Sequence, residues 1–173
     1  QAAVGIRDLD SCLVGSEMCI RDSGMCVNLF PNHHFYWGDQ HYAITVGPER
    51  AERMNACATA LREGVPMAIH SDAPVTPLGP FFTAWCAVNR VTATGRTLGE
   101  RERIGVEDAL RTITLGAAYT LKLDGEIGSI ECGKRADFTV LEDDPRTIGG
   151  ANLKDVRIWG TVLGGRVCDA ASI

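Results

Sequence analysis

At 173 residues, 45% of them apolar and 23% charged, the chain has the composition of a globular domain that buries a single core, which excludes the disordered and fibrous classes. Its formal charge of −5, with no run of Lys or Arg, argues against a nucleic-acid or anionic-membrane partner, since both demand a concentrated basic surface, and leaves a small molecule as the expected ligand. The 7 cysteines are scattered and contain no C-x-x-C pair, so they indicate neither a zinc knuckle nor a disulfide framework and fit a reducing, cytoplasmic setting.

The chain opens on Gln1 and reads as a piece of something longer. No apolar stretch approaches the roughly 20 residues that span a bilayer, and the start lacks the charged-then-apolar pattern of a signal peptide. Residues 13–23, "LVGSEMCIRDS", show no helical or strand period and resemble the translation of a transposase sequencing adapter. Residues 1–23 are therefore set aside as an artefact or disordered segment, and authentic sequence is expected from about Gly24.

"MCVNLF", residues 25–30, is an apolar run closed by Pro31 and reads as a buried strand. The following "NHHFYWGDQHY" reads as a polar-aromatic loop. From Pro48 the text is helical, with Glu49 and Glu52 near the positive end, Met54, Ala58 and Leu61 on one face, and Gly64 as the stop. Residues 65–69 form the next strand, with Pro66 tolerable at its start, and a second helix is expected over residues 81–90. Strand then helix, twice, with apolar rather than alternating strands, predicts parallel pairing in an α/β fold, either a barrel or a doubly wound sheet. "VEDALRTITLGAAYTLKL" is a further helix by its apolar spacing, and the Gly-punctuated runs after it read as antiparallel hairpins.

Strand alternation places His70 and Asp72 on one face at the end of the second strand, with Ser71 on the other. In parallel α/β folds that carboxyl end is where sites are built, although Asp-Ala-Pro is also ordinary turn text. "HSDAPV" at residues 70–75, "LFPNHHFYWGDQHY" before it and "GSIECGKRADFTVLEDDP" after it resemble the C-terminal part of the amidohydrolase superfamily, in the branch containing N-substituted formamide deformylases. The stretch from Gly128 to Phe138, G-S-I-x-x-G-K-x-A-D-F, carries most of that likeness.

The resemblance implies that residues 24–124 are the last strands and helices of a (β/α)8 TIM barrel, and that residues 125–173 belong to a small β-sandwich. It implies one or two divalent metals, usually zinc, with Asp72 as metal ligand and as the base that takes a proton from the attacking water. It makes His33 the substrate-facing histidine, with His34 an alternative, and Arg90 a further substrate-binding residue. Phe30 stands where relatives carry glutamine. His70 reads as a pocket wall, and Asp39 and His41 as either mouth-shaping or solvated.

Only His33, His34, His41 and His70 are present as histidines, and none forms an H-x-H pair, so most ligands of such a metal would lie outside this chain. The expected function is hydrolysis of a C–N bond in a small amide or formamide by a metal-dependent enzyme, inactive as this piece alone, with a homo-oligomer compatible. The competing expectation is a scaffold or binding protein that has lost its metal. Gly128 and Gly133 are expected to serve turns of positive φ rather than chemistry.

Overall fold

The computed structural model describes residues 23–169. The expectations placed on residues 1–22 lie outside them. Strand β1 (Val27–Leu29) and strand β2 (Met67–Ile69) pair in parallel, Val27 opposite Met67 and Leu29 opposite Ile69. The ladder extends one step beyond each end, with Val27 N donating to Pro66 O at 2.9 Å and His70 N donating to Leu29 O at 2.9 Å. All of β2 is buried, which explains its unbroken apolar text.

After β1 the chain does not loop. Residues 32–40 form helix α1 (Asn32–Gln40), entered from Pro31, and a single π turn (His41–Thr45) continues it. This corrects the expected polar-aromatic loop. The buried positions of α1 are Asn32, His34 and Gly38, so its inward stripe is polar and small, and apolar periodicity could not reveal it. The helix expected from Pro48 to Gly64 is likewise two: α2 (Pro48–Arg53) and α3 (Cys57–Arg62), broken where Asn55 takes a φ of 48°.

Helix α4 (Pro80–Asn89) follows β2 and ends at Arg90 in the left-handed region, close to the expected bounds. The last helix runs α5 (Val106–Arg111), a π turn (Thr112–Gly116) and α6 (Ala117–Thr120). A Cβ on Gly116 would collide with the Met67 carbonyl oxygen, so glycine is what lets this helix lie against β2.

Strands β3 (Phe138–Leu141), β4 (Ile158–Leu163) and β5 (Arg166–Asp169) make an antiparallel meander. The β4–β5 hairpin turns on Gly164 and Gly165, both of positive φ, as a two-residue turn matched to strand twist requires. A 3-10 turn (Gly150–Asp155) ties this part to α4: Trp85 Nε1 donates to Ala151 O at 2.8 Å, and Asn89 Nδ2 to Gly150 O at 2.9 Å. The core there joins Trp85, Cys86, Ile104, Leu153 and Val156, and wholly buried Leu153 alone is worth roughly 1.5–3 kcal/mol of transfer free energy. No helix of the described residues is long and apolar enough to cross a membrane.

Candidate active site

Parallel pairing in register sends both chains out at the same end of the β1–β2 pair. His33 lies just past β1 and Asp72 just past β2, so two residues 39 positions apart in sequence share one rim. Around them the structure gathers rings. Phe30 stacks on His70 (centroids 5.1 Å apart) and lies 4.3 Å from the His33 ring, which in turn meets Trp37 edge-on at 5.1 Å and His41 at 5.5 Å.

The pKa of His33 is lowered, first by burial, then by His41; the Asp72 carboxylate opposes this and His70 adds to it. A neutral imidazole at neutral pH follows, with one ring N–H to donate. Asp72 itself is exposed and holds a φ of 52°. Among the described residues no hydrogen bond or ion pair occupies its carboxylate, while its backbone oxygen accepts Val75 N at 2.7 Å.

The start of α1 and the loop after β2 are also joined beneath the rim. Asn32 Nδ2 donates to Thr76 Oγ1 at 2.8 Å, and the Thr76 hydroxyl donates to the carbonyl of Ser71. Asn32 and Thr76 are buried, and Asn32 Oδ1 has no partner among the described residues. Sequence reasoning passed over both. An Asn beside a candidate histidine and a Thr after a candidate aspartate carry no periodic or motif signal that would single them out.

His34 and Arg90, expected to meet substrate, are placed elsewhere. His34 is fully buried, its Nδ1 3.0 Å from Pro31 O and its Nε2 3.1 Å from Met54 O. Burial, reinforced by the Arg90 charge, pushes its pKa down to about 3. Arg90 is also fully buried and commits its guanidinium to backbone: Nε to Leu98 O at 2.7 Å, Nη1 to Asn55 O at 2.9 Å, Nη2 to Met54 O at 2.8 Å and to Glu52 O at 3.2 Å. Burial lowers its pKa to about 10, so it stays a cation at neutral pH. Both side chains hold the α2–α3 break in place, and neither shares the ring cluster with His33 and Asp72.

Asp39 binds Thr94 at 2.8 Å and Arg96 at 3.3 Å, a loop-to-loop tie. His41 Nδ1 meets Thr45 Oγ1 at 2.7 Å within the π turn, while its buried Nε2 has no partner among the described residues. Lys134 pairs with Glu131 at 3.7 Å, and the Asp137 carboxylate accepts Gly164 N at 2.7 Å. A cleft of about 780 Å³ among Glu49, Glu52, Arg53 and residues 99–102 contains neither Asp72 nor His33.

No group of three or more His, Cys, Asp or Glu side chains among the described residues is placed to hold a metal ion. The rim offers one hard oxygen donor, Asp72, and no set of three donors placed together with it among the described residues, so these residues do not by themselves fit a divalent cation.

The pattern of the amidohydrolase family matches residues 20–169. An N-substituted formamide deformylase of Arthrobacter pascens is 28% identical over 151 residues, covering 87% of this chain and 28% of that protein. YtcJ of Bacillus subtilis (strain 168), whose name classes it provisionally with the amidohydrolases, is 31% identical over 159 residues, covering 90% of this chain and 30% of its own length. Among solved structures, a metal-dependent hydrolase of uncharacterised function from Pyrococcus horikoshii OT3 superposes with a TM-score of 0.65 at 20% identity, over 79% of this chain and 28% of that one. The chain spans under a third of the length of the curated relatives it matches. It belongs to the amidohydrolase family.

Proposed function

We propose that the protein containing this chain hydrolyses a C–N bond of a small amide or formamide, and that this chain supplies the rim on which proton transfer occurs. The observation that carries the proposal is the convergence of Asp72 and His33 at one end of a parallel strand pair, close enough for the Asp72 charge to act on the His33 ring. In this reading β1 and β2 are neighbouring staves of a (β/α)8 barrel, residues 24–124 its last portion, and residues 125–173 part of a β-sandwich. Sites at the carboxyl ends of parallel strands fit that arrangement.

The chemistry follows from protonation states. A carboxylate oxygen of Asp72 accepts a proton from the attacking water and returns it to the departing amine nitrogen, so water adds across the C–N bond with no net proton change. Neutral His33 donates its ring N–H toward the scissile carbonyl oxygen as charge develops there. The family likeness implies a divalent metal, zinc in the simplest case, which would lower the pKa of a bound water; Asp72 is the donor this chain would offer it. Its remaining ligands would have to come from outside the described residues.

The test is turnover of N-substituted formamides and simple amides by the full-length protein. Asp72→Asn preserves shape and removes the base, and is expected to lower kcat by about 10²–10⁴-fold with the circular-dichroism spectrum unchanged. Full turnover by that variant would remove Asp72 from the mechanism, and no turnover by the unsubstituted protein on any of these substrates would favour a scaffold without catalysis.

A further inference from the structure

Asp72 is held in a backbone conformation that a residue with a Cβ rarely adopts, at φ 52°, on an exposed stretch beginning one residue after buried Ser71. Its own turn bond, Val75 N to Asp72 O, closes the local loop but does not fix that loop relative to His33. The Asn32–Thr76–Ser71 relay does. Thr76 has one hydroxyl proton and gives it to the Ser71 carbonyl, the group joined directly to the Asp72 nitrogen. The Thr76 oxygen can then only accept, so Asn32 must present its NH₂ group, and the amide orientation is settled by the network.

Asn32 immediately precedes His33, so the relay crosses from the first turn of α1 to the loop after β2 over 44 positions of sequence. It also leaves Asn32 Oδ1 buried without a partner among the described residues.

We propose that Asn32 and Thr76 are a positioning pair that sets the Asp72 carboxylate against His33; the inference rests on the catalytic role proposed for Asp72. The pair acts through Ser71 and touches no reacting atom. Its loss should lower kcat while leaving KM and the fold nearly unchanged, since a displacement of about 1 Å in a catalytic group can cost about 10²-fold in rate.

The experiment compares Thr76→Val, matched in shape but without the hydroxyl, with Thr76→Ser, which keeps it, in the full-length protein. Thr76→Val is expected to lose about 10-fold or more in kcat per folded molecule and Thr76→Ser to stay within about 3-fold of the parent, with KM steady in both. Asn32→Leu reads the same relay from the other side if Thr76→Val fails to fold. Where both fold, the Asn32→Leu/Thr76→Val double variant should be no slower than the slower single, because one relay is broken twice.

Multiplying effects in the double variant, or parental kcat in Thr76→Val, would overturn the inference. Asp72→Asn in the same assay separates the two claims. If it is inactive while Thr76→Val is fully active, only the positioning role fails. If it retains full turnover, the role of Asp72 fails and the positioning role with it.

Discussion

His33 and His34 are neighbours in sequence and opposites in surroundings. His33 keeps its ring at the rim among Phe30, Trp37 and His41, whereas His34 is sealed between the carbonyls of Pro31 and Met54. A neutral imidazole has one N–H, so only one of those carbonyls receives it. Neither is left without a donor, because Pro31 O also accepts the His34 backbone N–H and Met54 O also accepts Arg90. The consequence is a stability that depends on pH. His34 binds a proton at about 6.5 when unfolded and only near about 3 when folded, so below the upper value the unfolded state holds the extra proton. Stability therefore rises with pH across that window and is lost as pH falls through it, at up to about 1.4 kcal/mol per pH unit for one group. Denaturant unfolding of the parent and of His34→Gln at pH 7 and pH 5 checks this. The parent should lose more stability on acidification than the variant, and equal losses would clear His34 of the effect.

At the scale of elements, Arg90 is the piece that the text could not place. It caps α4 in a left-handed turn and reaches across to Glu52, Met54 and Asn55 at the α2–α3 break, while its Nε holds Leu98. Gly99 beside it is required, since a Cβ there would strike the Glu52 carbonyl oxygen and sit 2.8 Å from Arg90 Nη2. Arg90→Lys keeps the charge but loses the planar fork, so most of the carbonyls of Glu52, Met54, Asn55 and Leu98 lose a charge-assisted hydrogen bond worth about 1.5–3 kcal/mol each. A fall of at least about 3 kcal/mol in unfolding free energy is expected by the same measurement, and a loss under about 1 kcal/mol would mean water replaces the fork. The same elements show what sequence can tell. β1, β2, α4 and the hairpins were legible because apolar runs, Pro entries and Gly turns are local signals. Helix α1 was not, because Asn32, His34 and Gly38 bury polar or small groups whose partners lie far along the chain. For the same reason Asp72 and His33 could be singled out through motif likeness, while Asn32, Thr76 and the inward turns of His34 and Arg90 needed coordinates.

For the whole molecule, what matters is its exposed apolar side chains and unpaired strand edges. The chain spans 28–30% of its curated relatives, and Ile44, Leu78 and Ile130 are each at least 80% exposed, with Leu163 and Val167 exposed on the meander. The β1–β2 sheet has two strands, and among the described residues neither outer edge is paired. A parallel pair is stable only when covered on both faces, and a two-stranded sheet is marginal alone. Open edges beside exposed apolar side chains recruit other chains. The 173-residue chain expressed by itself should therefore self-associate: light scattering after size exclusion should report species heavier than 18.6 kDa, and it should bind an apolar dye strongly. On the proposed barrel, in which further strands and helices flank β1 and β2, the full-length protein should show one defined species and little dye binding. A monodisperse, cooperatively unfolding monomer from this chain alone would mean that the β1–β2 pair needs no neighbours, and the barrel proposed around Asp72 would lose its physical reason.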